Sequence, residues 1–137
     1  MKLAGLNFTK INVEKSKNDF KDLKINTSIN LEEITEAKAD LIKSKDIFLS
    51  IKFKYGINYD PEIAKIEFEG GILISVDQKT GKEILNDWKE KKVKDETRLI
   101  LFNLILRKSN IKALQLEEEM NLPIHFKLPS LQMDKKE

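Results

Sequence analysis

The 137-residue sequence holds one histidine, His125, and no cysteine. That excludes a thiol nucleophile, a disulfide framework and any thiolate metal site, and it leaves His125 without a second imidazole with which to hold a metal. In the run LPIHFKL, residues 122–128, it reads as a partly exposed loop residue. The carboxylates Asp60, Glu62, Glu67 and Glu69 lie close enough in sequence to suggest an acid/base pair. Glu67 and Glu69, however, alternate with apolar residues, which places both on the wet face of a strand beside Lys52 and Lys54 across a hairpin. Gly70 and Gly71 lack the flanking pattern of a phosphate-binding loop, and Gly81-Lys82-Glu83 reads as a turn entering a helix. Trp88 reads as core on a helix face, and the KEKKVK run at residues 89–94 as a solvated joint rather than a nucleic-acid patch. The expectation is therefore a protein with no catalytic residue, no metal site and no cofactor.

Charge and length bound what remains. With 25 basic and 23 acidic side chains the net charge is +2, which gives no electrostatic footprint for nucleic acid or an anionic membrane. The length suits one domain spanning residues 1–137, with 40% hydrophobic residues to build its core. No apolar run approaches the ~20 residues needed to cross a bilayer, and no charged start followed by an apolar run suggests a signal peptide, so cytoplasmic residence is expected.

The elements follow from periodicity. Residues 3–15 alternate in two phases, Leu6 and Phe8 in one, Ile11 and Val13 in the other, and a bulge near Thr9 and Lys10 reconciles them. A polar link carrying Phe20 and Leu23 reads as a crossover loop. Residues 24–31 alternate as a half-buried strand with Ile25, Thr27, Ile29 and Leu31 on one side. Residues 32–44 fit either a short helix or a strand end and loop. Residues 46–58 and 64–76 alternate throughout and read as a long antiparallel hairpin closed by Asn58-Tyr59-Asp60-Pro61, with Gly70 and Gly71 placed for a close backbone approach. Residues 83–91 carry Ile84, Leu85 and Trp88 at helical spacing.

The chain is organised around residues 95–131. Between Leu99 and Leu106 every side chain but Asn103 is apolar, and together they cover nearly every helical direction, more than one buried face can hold. A small sheet covers one side, and a second copy of the chain is the simplest cover for another. Asp95 and Glu96 suit the positive end of the helix dipole, Glu117 to Glu119 oppose its negative end, a break is expected near Ser109 and Asn110, and Asn121 with Pro123 end the helix. Four strands followed by helices predict an α+β fold, a four-stranded antiparallel sheet with a crossover loop, packed by C-terminal helices.

This layout resembles the SecB family of protein-export chaperones. Three stretches carry the resemblance: IEFEGGILIS at residues 66–75 is similar to the family's last strand, Leu101-Phe102 to a Leu-Phe pair in its long helix, and MNLPIHF at residues 120–126 to its helix exit. The resemblance implies a homotetramer, a dimer of dimers with long helices between two sheets, that binds unfolded polypeptides in apolar grooves and holds them for translocation without ATP. Three features depart from the family pattern. The net charge is +2 where members are acidic, the DKKE end lacks the basic, metal-dependent motor-binding tail, and Pro129 stands where the family has its last helix.

The sequence reading is then a molecular chaperone for unfolded or nascent polypeptides. Candidate polypeptide-binding residues are Phe8 and Ile11 on the bulged first strand, Phe20 and Leu23 in the crossover loop, Ile25 on the next strand, and Ile124, Phe126 and Leu128 after the helix exit. Leu99, Phe102 and Leu106 are the candidate oligomer interface. Nucleic acid and membrane insertion are not expected. The alternative is a non-catalytic adaptor that uses the same apolar faces for one specific protein partner.

Overall fold

The computed structural model describes residues 1–37 and 45–131; the later part of the ambiguous stretch at 32–44 and the DKKE end lie outside them. Strands β1 (Lys2–Lys15), β2 (Lys24–Ala37), β3 (Asp46–Asp60) and β4 (Ala64–Asp77) form one antiparallel sheet in the order β1-β4-β3-β2. Helices α1 (Gln78–Lys89) and α2 (Asp95–Glu119) follow. The sheet is the α+β arrangement the sequence predicts, crossover included. Because β1 and β2 occupy opposite edges, residues 16–23 must pass over the turn that joins β3 to β4. The Ser16 and Lys17 N–H groups donate to Ile63 O in that turn at 2.8 and 3.2 Å.

Register explains the mixed phases of β1. The pairing slips between Phe8 and Lys10, so Thr9 is the bulge that brings Leu6 and Phe8, opposite Ile72 and Gly70, onto the same side as Ile11 and Val13, opposite Phe68 and Ile66. A second slip at Ala4, between Leu3 and Gly5, has no counterpart in the alternation. On β2 a bulge at Glu32 carries the strand to Ala37, and Ile34 joins the core opposite Ile51. Gly70 is required by the packing: a Cβ there would meet Asn7 O at 2.5 Å and Phe8 Cα at 3.2 Å.

One face of the sheet is dry. Leu49, Ile51, Phe53, Tyr55, Ile57 and Tyr59 from β3 and Ile66, Phe68, Ile72, Ile74 and Val76 from β4 are buried beneath the helices. The other face carries ion pairs, Lys54 to Glu69 at 3.7 Å and Lys52 to Glu33 at 3.2 Å among them, so Glu67 and Glu69 stand on the wet face as the alternation predicts. Only Glu69, however, meets a lysine across the hairpin; Glu67 lies opposite Gly56 and pairs with Lys65 at 3.6 Å.

Helix α1 begins earlier than its apolar spacing indicates. Asp77 caps it, accepting from Thr80 N–H at 3.1 Å, and hydrogen bonds from the Thr80 side chain and backbone hold the Asp77 carboxyl below the usual carboxylate range. Gly81 is therefore inside the helix rather than in a turn. It lets α1 settle on Ile47 and Val76, whose Cγ2 would lie 2.9 Å from any Cβ at that position.

Helix α2 is continuous from Asp95 to Glu119 and does not break at Ser109 and Asn110. Its buried residues, Leu101, Ile105, Ser109, Ala113 and Glu117, follow each other at intervals of four, the row by which one helix packs at an angle across a neighbouring surface. Ser109 and Ala113 are the small members of that row, and the Ser109 hydroxyl is buried there without a hydrogen-bond partner. The helix ends in a Schellman motif: Asn121 has φ 52°, its N–H donates to Glu118 O at 3.4 Å, and Leu122 N–H donates to Glu117 O at 2.9 Å. Asn121 thus ends the helix as the sequence predicts, and among the described residues no helix is long and apolar enough to cross a membrane.

Candidate functional site

The Schellman turn reverses the chain so that residues 122–126 run back over the end of β3. There Tyr55, Tyr59, Asn110, Glu117 and His125 form a polar cluster inside an otherwise apolar core. The Glu117 side chain is 0% and that of His125 4% exposed. Glu117 Oε2 accepts from Tyr59 O–H and from the His125 backbone N–H, and Oε1 lies 2.7 Å from His125 Nδ1. His125 Nε2 lies 3.0 Å from Asn110 Oδ1 and 3.2 Å from Tyr55 Oη, while Tyr55 O–H donates to Asn110 Oδ1 at 2.8 Å. A carboxylate removed from water is costly unless its lone pairs are met, and here three donors meet them. Burial, reinforced by Glu117, raises the ionisation of both tyrosines well above that of a free phenol; for Tyr59 the hydrogen bond to Glu117 adds to it.

His125 is thus the partly exposed loop residue that its sequence context predicts only in its backbone, for its side chain is sealed in the core. Glu117 likewise faces inward, so its charge meets hydrogen-bond donors instead of opposing the helix end as a free acidic group. None of the surface grooves described below is lined by His125 or Glu117.

The predicted polypeptide-binding residues fall into three places. Phe8 is half-buried, its ring 5.1 Å from that of Phe68 and 6.3 Å from that of Phe53, whereas Ile11, two positions beyond the bulge, is exposed. Phe20, Leu23 and Ile25 are half-buried against the core at the crossover, and Lys15 Nζ lies 5.6 Å from the Phe20 ring centroid. Ile124 is half-buried, while Phe126 and Leu128 are exposed. The crossover and the tail meet at one end of the sheet, since Lys15 Nζ also donates to Met120 O at 2.9 Å and Ile25 pairs with Tyr59.

No protein-family profile matches the sequence, and no curated protein matches it by sequence. Among solved structures the chain is similar to a SecB-like chaperone of Mycobacterium tuberculosis in complex with a ChAD peptide from the HigA1 antitoxin. The identity is 12%, the TM-score 0.48, and the alignment covers 96% of this chain and 92% of that one.

The predicted interface residues separate. Leu99 is 61% exposed, Leu106 is partly buried against the core, and Phe102 turns toward β2 to share a cleft with Ile29, Leu31 and Trp88. Two exposed neighbours, Ile100 and Ile111, are not among the predicted interface residues, although Ile100 belongs to the apolar run at 99–106. With Leu3 of β1 and with Leu104, Arg107 and Lys108 they line a groove of about 680 Å³ between α2 and the free edge of the sheet. Their signal was present, because Ile111 lies eleven residues from Ile100, three helical turns along one face. A separate, larger depression of about 900 Å³ lies on the wet face over Gly71 and is edged by Lys52, Lys54 and Glu69.

Proposed function

We propose that this chain is a molecular chaperone of the holdase type, which binds unfolded polypeptides reversibly in apolar surface grooves and keeps them competent for export. In this reading it works in the cytoplasm as a homotetramer, a dimer of dimers. It uses no catalytic residue, metal or cofactor and binds neither nucleic acid nor the membrane interior. The observation that carries the reading is the set of large apolar side chains standing in solvent on an otherwise well-packed fold: Ile11, Leu99, Ile100, Ile111, Phe126 and Leu128. Burial of apolar surface is non-directional, so it suits capture of chains of unrelated sequence. The α2 group, Leu99, Ile100 and Ile111, is assigned to sister copies. Ile11, Phe126 and Leu128, with the half-buried Phe8, Phe20, Leu23, Ile25 and Ile124 beside them, are assigned to clients. Several weak patches in one assembly raise the affinity for a flexible chain by multivalency.

The test is aggregation of a reduced, unfolding substrate in the presence of the purified protein. Delay at stoichiometric amounts is expected, and no delay refutes the reading. Competition between unrelated unfolded peptides separates a general chaperone from an adaptor dedicated to one partner, because the adaptor discriminates strongly among them.

A further inference from the structure

We propose that His125 and Glu117 form a proton-operated latch, which holds segment 122–126 across the end of β3 while both imidazole nitrogens carry protons and releases it when one is lost. The inference goes beyond the chaperone reading and does not depend on it.

The hydrogen-bond inventory argues for the doubly protonated ring. Nδ1 faces Glu117 Oε1 at 2.7 Å, and Nε2 faces Asn110 Oδ1 at 3.0 Å. Both of these partners are acceptors, and the third neighbour, the Tyr55 hydroxyl at 3.2 Å from Nε2, spends its own proton on Asn110 Oδ1 at 2.8 Å. An imidazolium donates to each, whereas a neutral ring sets an Nε2 lone pair against the amide oxygen. Rotation of the Asn110 amide, or of the Tyr55 O–H toward Nε2, is the rearrangement that would reseat a neutral ring. It would not restore the charge balance, because Glu117 would remain a fully buried carboxylate without a cation.

The groups packed around the pair are few. From β3 come the Tyr55 and Tyr59 hydroxyls, both strongly held in the protonated form; from α2, Asn110 and Glu117 itself; and from the tail, the Phe126 ring, edge-on to His125 at 4.7 Å. Lys15 of β1 is directed to the carbonyl oxygens of Met120 and Asn121 at 2.9 and 3.4 Å rather than to Glu117. His125 also anchors the segment through its backbone N–H, which donates to Glu117 at 2.9 Å. Charge on the ring and attachment of the segment are thus borne by one residue, and imidazoles change charge between about pH 5 and 8. Release would free Phe126 and uncover the Tyr55 end of the core.

Amide hydrogen exchange from about pH 5.5 to about pH 8.5, corrected for the intrinsic rate, tests this on the full chain, with the ring protonation followed by NMR of its only histidine. Protection at His125 is expected to fall about tenfold or more as the ring loses its second proton, while amides of Ile57 and Ile66 stay protected. His125→Gln should abolish the pH dependence. Asn110→Asp, which presents a second carboxylate to Nε2 and cannot rotate into a donor, should move release to higher pH and serves if His125→Gln does not fold. Protection that is flat across this range, that falls together with the core amides, or that keeps its wild-type midpoint in Asn110→Asp overturns the latch.

Discussion

Glu117 and His125, eight residues apart and separated by a helix terminus, meet at 2.7 Å with both side chains sealed from solvent. Truncating His125 leaves the buried Glu117 carboxylate without its imidazole partner, and truncating Glu117 leaves His125 Nδ1 and the Tyr59 hydroxyl without their acceptor. Loss of one member of a buried pair costs about 3–5 kcal/mol. Glu117→Ala and His125→Ala are each expected to lower the urea midpoint by that scale, read from the single tryptophan, Trp88, at fixed protein concentration. The double variant should cost less than the sum, with a coupling of about 0.5–3 kcal/mol. Additive losses would show that the two side chains do not act as a unit.

The tyrosines set the alkaline limit. Burial and then Glu117 raise the Tyr55 ionisation; for Tyr59 burial is followed by the hydrogen bond to Glu117. A phenol ionises near pH 10 in the unfolded chain and higher in the folded one, so above about pH 10 the unfolded state binds fewer protons and stability falls as pH rises. Below that value this contribution is fully present. These are the only two tyrosines in the chain, so tyrosinate absorbance reports them without background. It should appear together with unfolding rather than before it, and Tyr55→Phe and Tyr59→Phe should each flatten the alkaline loss. Tyrosinate forming at pH 10 in a folded protein would refute the assignment.

The two adjacent glycines of β4 are not equivalent. A methyl group on Gly70 would press on Asn7 O and Phe8 Cα, both backbone atoms of β1, whereas one on Gly71 would reach Ile51 O at an ordinary 3.5 Å. Gly70→Ala should cost about 1–3 kcal/mol by forcing the β1–β4 pairing apart. Gly71→Ala should change stability by no more than about 0.5 kcal/mol. Thermal melts of the pair decide it, and equal losses would contradict the register.

The Thr9 bulge was legible because two alternations of opposite phase on one strand leave no other way to share a face, and Gly70 because a glycine inside a buried alternation marks close approach. Strand β2 was legible only to Leu31, since the bulge at Glu32 destroys the period just where Ile34 resumes it. Gly81 looked like a breaker because its burial against Ile47 depends on a neighbour distant in sequence. The polar cluster was hidden for a related reason: Glu117 and His125 belong to different elements, and only the turn at Asn121 folds one onto the other. A signal did exist in Tyr55 and Tyr59, which share the apolar side of β3 and so bring two hydroxyls into the core that require partners.

Client capture should depend on side chains that the fold itself does not need. Ile11 and Phe126 are both exposed, so Ile11→Ser should leave stability within about 0.5 kcal/mol of wild type, while Phe126→Ser, whose ring also packs edge-on against His125 at 4.7 Å, should cost more. Each should weaken suppression of aggregation, and the double variant should do so more than either single one. Leu128→Ser is expected to follow Phe126→Ser, since the two stand on the same segment. Undiminished suppression by all three variants would remove these positions from the binding surface.

Assembly should depend on the other exposed group. Leu99 and Ile111 are 61% and 54% exposed on α2, outside the buried row that holds the helix to the sheet, so charge placed there does not enter the core. Burying one such side chain contributes about 1.5–3 kcal/mol, and 1.4 kcal/mol is a tenfold change in affinity. Leu99→Glu with Ile111→Glu should therefore weaken association by roughly 100-fold or more, reducing the native mass measured by light scattering to that of one chain while the far-ultraviolet circular dichroism is unchanged. Because the Phe126 and Leu128 segment is separate from this face, the resulting monomer should still bind a short unfolded peptide but lose the avidity that several copies supply. A wild-type protein that is already monomeric at tens of micromolar would refute the sister-copy assignment of α2, and a double variant that keeps its full mass would move the interface elsewhere.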